Sequence, residues 1–300
     1  MTAANSSITN AQNSERALTL LAAQRRLYSD AKTIQGTRLL ITAVGAVGGV
    51  AAALALPPWR TSIGIITGLV LLSVSVLGGA REKRKIKEAS SVQEELDVML
   101  FGLDWNDLCV DRPTTTIIAA AATRYKGDRS DLRDWYPDTG TVPYPMNVLI
   151  CQNSNLGWGS AAHRAWAATL TGAIVVLLCV STIITVAGRM GVVEALIAVV
   201  VPQLSLIKEL YEMTRSNLDT ATSKSSAEGK VMSLWRRGLT NPAAVTLGDC
   251  RAVQDKILQF RQSGASIPDW FHNRVRPRQE ATMRATAAHL VSEARARGIA

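Results

Sequence analysis

Aromatic residues are scarce in this 300-residue chain, at 5%, and histidine and cysteine are scarcer still. Only His163, His272 and His289 occur, and none stands at ligand spacing from another His or Cys. Cys109, Cys151, Cys179 and Cys250 are scattered, without a CxxC pair. That pattern argues against a zinc module and a disulfide framework, and it suits a reducing compartment. There is no Gly-rich phosphate loop and no HExxH helix, so neither phosphoryl-transfer nor zinc-hydrolase chemistry is expected. Cys151, His163 and Asp134 can be assembled on paper into a thiol triad, but nothing around the cysteine gives it the setting of a nucleophile. We expect no catalytic residues, no metal ligands and no cofactor. The opening stretch, "MTAANSSITNAQNSER", has no basic region followed by an apolar core, so no cleaved signal peptide is expected.

Apolar residues and positive charge are both plentiful. The chain is 47% apolar and carries 33 Lys and Arg against 24 Asp and Glu. Its mean hydropathy is nevertheless +0.11, so the two kinds of residue must be segregated along the sequence. Four apolar segments result: Leu39–Leu56, Thr61–Ala80, Ala165–Gly188 and Gly191–Ile207. The first three approach the roughly 20 residues that a ~30 Å hydrocarbon core requires. The fourth is shorter and contains Glu194, Pro202 and Gln203. A buried helix pair in a soluble protein is the bland alternative, but three uncharged runs of this length rarely share one soluble core. The sequence reads as an all-α membrane protein with four transmembrane helices.

The linkers "PPWR" and "RM" pair the segments into two antiparallel hairpins, over 38–80 and 165–207. Charge orients them. Arg25, Arg26, Lys32 and Arg38 precede the first span, "REKRKIK" (Arg81 to Lys87) follows the second, and Lys208 and Arg215 follow the fourth. Only Arg60 and Arg189 fall on the other side. The positive-inside rule then places residues 1–37, 81–164 and 208–300 on the cytoplasmic side of the membrane. Trp59 and Trp166 fall at predicted interfaces, as belt residues would. The net charge of +9 reads as topology and attraction to anionic lipid, without DNA or RNA as a partner.

Outside the spans the periodicity is mainly helical. Asn13–Gln35 leads into the first span, and Ile86, Ala89, Leu96 and Leu100 continue the second outward as a stalk. The fourth span extends through "KELYEMTRSNLD". Val253, Ile257 and Phe260 make an amphipathic face ended by Gly264. A helix restarts at "SIPDW", and Pro277 begins or kinks another. "DWYPDTGTVPYPMNVLICQNSNLGW" (Asp134 to Trp158) is rich in Pro, aromatics and amides, and is expected to be a loop or short hairpin that organises the cytoplasmic part.

Several separated phrases, in order, resemble the S-4TM family of pore-forming effectors: bacterial four-transmembrane proteins found beside cyclic-oligonucleotide synthases in CBASS-like antiphage operons. They are "AAQRRLYSDAK" (Ala22–Lys32), "SVQEELDVMLFGLDWN" (Ser91–Asn106), "DWYP" (Asp134–Pro137), "CQNSNLGW" (Cys151–Trp158), "VQDKILQFR" (Val253–Arg261), "IPDWF" and "RPRQEATM", the last two within Ile267–Met283. The resemblance implies a membrane-permeabilising effector triggered by a cyclic oligonucleotide, leading to growth arrest. It carries no catalytic signature over to this chain. The alternative is a membrane scaffold or signalling protein that forms no pore.

Candidate residues follow from the need of polar groups in a membrane for internal partners or water. Gln203, with the Pro202 kink, is a candidate for lining a water-filled path in a homo-oligomer. The blander reading has Ser and Thr of the third span bonding back to their helix, and Glu194 snorkelling to the interface. Gly45 and Gly49, and Gly64 and Gly68, are spaced four apart, allowing close helix contact either within a hairpin or between copies. In the cytoplasmic part, Trp135 and Tyr136 could stack on a base, while Arg124, Lys126, Arg129, Arg133 and Arg164 could meet phosphates. Against that, Trp105, Trp135 and Trp158 suit a small aromatic core, with Gln152, Asn153 and Asn155 bonding turns.

Overall fold

The structure is a computed structural model that describes residues 8–157, 160–263 and 265–300, except the side chains of His272, Asn273, Val275, Arg276 and Arg278. Trp158 and Gly264 therefore lie outside the described residues. All regular elements among the described residues are helical. They form two compact units: Met1–Ser29, Lys85–His163 and Asp219–Ala300 make one, and Asp30–Arg84 with Arg164–Leu218 the other.

The second unit holds the apolar segments. Helix α1 (Ile8–Ala11) is a short prelude to α2 (Glu15–Ala55). A 3₁₀ turn, Pro57–Trp59, joins α2 to α3 (Arg60–Phe101). Proline suits that turn because its fixed φ and missing N–H cost nothing at a first helical position. In the second hairpin, α6 (Ser160–Ala187) leads to α7 (Val192–Ala195), a π-helical turn over Leu196–Val200 and α8 (Val201–Thr240). Three described stretches are long and apolar enough to cross a membrane: Glu15–Ala55, Pro57–Phe101 and Met146–Ala187. The fourth segment is not one of them: its apolar residues are divided among α7, the π-helical turn and the start of α8. The helix widens there just before Pro202, where Val201 N–H reaches back to Leu196 O. Pro202 has no N–H to offer a regular turn.

Large apolar side chains of this unit point outward, among them Val44 and Val47 on α2, Leu69 and Leu77 on α3, and Ile183 and Val186 on α6. Small residues such as Ala46, Ala53 and Ala198 are buried instead. That inversion fits a lipid surround, where apolar surface gains nothing by hiding and helices associate through close backbone approach. Of the two expected belt residues, Trp59 is exposed, but Trp166 is buried within the unit.

The first unit has a conventional core. α2 contributes Leu18, Leu21 and Leu27, α3 contributes Leu96 and Phe101, and α8 contributes Trp235. The expected loop at 134–158 is a loop only in its first half. α5 (Met146–Gly157) follows, with Met146, Leu149, Ile150 and Asn153 facing inward at i, i+3, i+4 and i+7. The amides that look like turn formers, Gln152 and Asn153, lie on that buried helix. α4 (Thr115–Thr123) is capped by the Thr114 side chain, and α9 (Leu247–Gln262) by a Thr246–Asp249 capping box. α10 (Asp269–Ala296) starts after Pro268 and continues through Pro277.

Candidate functional site

Two amide side chains clasp the "DWYP" backbone. Gln12 Oε1 accepts from Tyr136 N–H at 2.6 Å, and Gln12 Nε2 donates to Tyr136 O at 3.3 Å. One residue on, Asn13 Oδ1 accepts from Asp134 N–H at 3.1 Å while its Nδ2 donates to Asp134 Oδ1 at 2.9 Å. Asp134 sits at φ 51°, a left-handed conformation that Asp tolerates better than most residues. These paired bonds turn Tyr136 inward. Its hydroxyl donates to Asp97 Oδ1 at 2.5 Å and accepts from Asn155 Nδ2 at 2.9 Å. Its ring packs at 5.1 Å from Phe101.

Tyr136 thereby joins a buried polar network between α3 and α9. Glu94 and Asp97 stand one turn apart on α3. Arg251 Nη2 meets Glu94 Oε1 at 2.5 Å, and Arg261 Nη2 meets Asp97 Oδ2 at 2.7 Å. Gln254 Nε2 donates to both carboxylates, at 2.8 and 2.9 Å. Tyr28 of α2 adds a hydroxyl that donates to Gln93 Oε1 at 3.1 Å. Burial pushes the Glu94 carboxyl up, and Asp97 reinforces this while Arg261 opposes it. Burial also lifts the Tyr28 phenol to about 12, against the pull of Arg261 and with help from Asp97 and Glu94. For Arg261, burial favours losing the proton, but Asp97 and its neighbours outweigh it and hold the guanidinium charged. Glu94 and Asp97 each have an arginine, and the further acid on Arg251, Asp255 at 2.8 Å, is only partly buried. Such a contact is costly to leave half-made.

The residues expected to meet a ligand are spread around this network. Trp135 is half-buried, with the Arg25 guanidinium 5.6 Å from its ring centre. Tyr136 is buried. Arg124, Lys126, Arg129 and Arg133 are exposed. Arg124 Nε donates to Ala120 O at the end of α4, and Arg129 contacts Glu15 at 3.3 Å. Arg164 lies in the other unit. A cleft of about 340 Å³ beside α9 is lined by Cys109, Asp255, Lys256, Leu258, Gln259 and Gln262.

In the membrane unit, Gln203 is buried and accepts from the Ser181 hydroxyl at 2.9 Å, which ties α6 to the fourth segment. Pro202 is buried beside it. Glu194 pairs with Arg60, whose Nε also donates to Ala53 O at 3.0 Å. The hydroxyls of Thr169, Thr171, Ser181, Thr182 and Thr185 all donate to carbonyls one turn back. Each glycine faces a neighbouring helix of the same chain. A methyl at Gly45 would lie 2.6 Å from Leu71, and at Gly49 2.6 Å from Thr67. At Gly64 it would lie 2.2 Å from Ile197 O, and at Gly68 2.7 Å from Val201.

The α3–α9 network is the feature that reading the sequence misses. Its signal is present but faint: Gln254 and Arg261 share a helix face with Cys250 and Ile257, so polar residues recur on the buried side.

Similarity to known proteins follows the same layout. The SMODS-associating 4TM effector domain matches residues 6–290, which take in both units. A Bacillus cereus (strain VD146) protein described as a probable CBASS effector molecule is 25% identical over 273 residues, covering 87% of this chain and 90% of that one. No solved structure matches the chain. An all-helical fold with membrane-length apolar helices and a match across nearly its whole length agree, and the chain belongs to the SMODS-associating 4TM effector family.

Proposed function

We propose that this protein is an inner-membrane effector of bacterial antiphage defence, which a cyclic oligonucleotide triggers to permeabilise the membrane. The family and the CBASS description of the Bacillus relative support the defence role. The observation that carries the mechanism is continuity: α2, α3 and α8 each run unbroken from an apolar segment into the cytoplasmic unit. A change in the packing of that unit acts directly on helices that cross the bilayer. A ligand shifts the balance by binding the open arrangement more tightly than the closed one. In this reading the exposed Arg124, Arg129 and Arg133 with half-buried Trp135 offer charge and a stacking face, and Tyr136 supports them from within. The N-terminus, the 81–164 region and the C-terminus face the cytoplasm, and homo-oligomers form the pore.

Purified protein in dye-loaded liposomes tests this. Dye should be released on adding one of a panel of cyclic di- and trinucleotides, and retained without it. In cells, co-expression with the cognate synthase should depolarise the inner membrane and stop growth, while either protein alone is tolerated. Inserted protein that never releases dye, in cells that never depolarise while the nucleotide is made, would favour the scaffold instead.

A further inference from the structure

Arg38 stands at the start of the first apolar run, where the sequence reads it as one more charge on the inner side. Within the membrane unit it is not on the surface. Its side chain is 11% exposed, and it reaches two carboxylates at once. Nη2 lies 2.7 Å from Glu82 Oε2 on α3, and Nη1 lies 3.1 Å from Glu209 Oε1 on α8. The other Glu209 oxygen accepts from the Thr42 hydroxyl, one turn along α2, at 3.3 Å. Glu82 and Glu209 are 9% and 1% exposed. Gly78 of α3 makes room for the arginine stem, since a methyl there would lie 2.6 Å from Arg38 Cδ.

One guanidinium shared between two carboxylates leaves a net negative charge in a place with little water. The guanidinium fork can bond both partners, but it cannot neutralise both. Burying three charged groups is costly, and a purely static clasp would be served as well by apolar packing. An unbalanced bridge differs from such packing in one respect. Parting it lets water return to a carboxylate that was never fully compensated. Another ion pair of the unit, Arg60–Glu194, is one-to-one, and its glutamate is 45% exposed, so it costs little to hold or to lose. The three bridged helices are the ones that continue for several turns into the cytoplasmic unit.

We propose that Arg38, Glu82 and Glu209 form a lock, an autoinhibitory bridge that holds α2, α3 and α8 together at rest and must part before the membrane unit opens. This rests on the permeabilising role proposed above.

The lock predicts opposite signs for removing the base and removing an acid. Arg38→Gln strands two buried carboxylates and should release dye from liposomes without any nucleotide, at least tenfold faster than the unsubstituted protein. Glu209→Gln leaves one acid against one base and should stay as tight as the unsubstituted protein. A second readout does not depend on permeation. With Cys109 and Cys179 replaced by Ser, Thr42→Cys reports whether water reaches the bridge. Adding Arg38→Gln should raise its labelling by a water-soluble maleimide about tenfold, and adding Glu209→Gln should not. Fast labelling without dye release would uphold the lock and overturn the pore. Slow labelling and retained dye in inserted Arg38→Gln would overturn the lock, as would equal leakage from Arg38→Gln and Glu209→Gln. If Arg38→Gln does not insert, Arg38→Lys takes its place. A single ammonium bridges two carboxylates poorly, so labelling no faster than in the unsubstituted background would overturn the lock.

Discussion

In the first unit, outside the apolar segments, Glu94 and Asp97 face Arg251 and Arg261, whereas in the membrane unit Glu82 and Glu209 share Arg38. In the first set each buried acid has an arginine of its own, the further acid Asp255 is partly exposed, and Gln254 and the Tyr136 hydroxyl bind the rest. The second is uneven and has a single threonine in support. Buried charge therefore plays two parts in one chain. Where each ion has a partner and the remaining polar atoms are engaged, the network fixes one packing of its helices. Where the count is short by one base, the same kind of contact is poised between holding and parting.

Three substitutions and a titration would break or sharpen that contrast. The largest effect is expected at Asp97, which is fully buried and meets Tyr136, Gln254 and Arg261. Asp97→Ala leaves a buried guanidinium without its acid and should cost about 3–5 kcal/mol. Membrane-fraction abundance should fall sharply, and near-normal abundance would show that the α3–α9 network is not holding that unit together.

Gly64→Ala comes next. Its methyl would press on the Ile197 carbonyl, which is backbone and cannot swing aside, and about 1–3 kcal/mol is expected from such overpacking. A lowered melting temperature in detergent is the readout. An unchanged one would mean that the glycine contact opens readily.

Gln203→Leu should alter stability by no more than about 1 kcal/mol, because Ser181 keeps its bond to Leu177 O. If Gln203 lines a wetted path, the apolar replacement should lower dye release at unchanged abundance. Unchanged release would remove it from the path.

The last effect is confined to alkaline pH. The Tyr28 phenol titrates near 12 in the folded protein, above the ordinary 10. The folded state thus keeps a proton that the unfolded state has released. This contribution to stability is fully present below pH 10 and is lost as pH rises through about 12. Unfolding followed between pH 10 and 12 should show a shallower decline for Tyr28→Phe, and parallel curves would argue against that shift.

Much of this architecture is legible in the sequence, and the reasons are local. Apolar runs without charge give away the spans, and linkers as short as "PPWR" leave only antiparallel neighbours. Pro268 marks the start of α10 because a proline there can only precede a helix or break one. α5 is hidden because Gln152, Asn153 and Asn155 look like turn residues until their helical spacing is compared with Met146 and Ile150. Pro277 looks like a boundary, yet α10 runs through it. The two charge clusters are hidden for a different reason. Arg261 and Asp97 are 164 positions apart in sequence, and Arg38 and Glu209 are 171 apart. Each charge, taken alone, reads as solvated or as topology. The ligand candidates Arg124, Arg129 and Arg133 show the converse case. They are as exposed as the sequence suggests, and exposure alone does not gather them into a pocket.

The contact at Gly64 also bears on how the bundle can come apart. Along that seam Gly64 of α3 meets the Ile197 carbonyl, which is main chain, and Gly68 meets the short Val201 side chain with its carbonyl just behind. Gly45 and Gly49 of α2 meet Leu71 and Thr67 instead, whose side chains can turn aside. In a mechanical sense the Gly64 seam is the stiffer joint and the α2 seam the softer one, and strain on the bundle is expected to be taken up along α2 first.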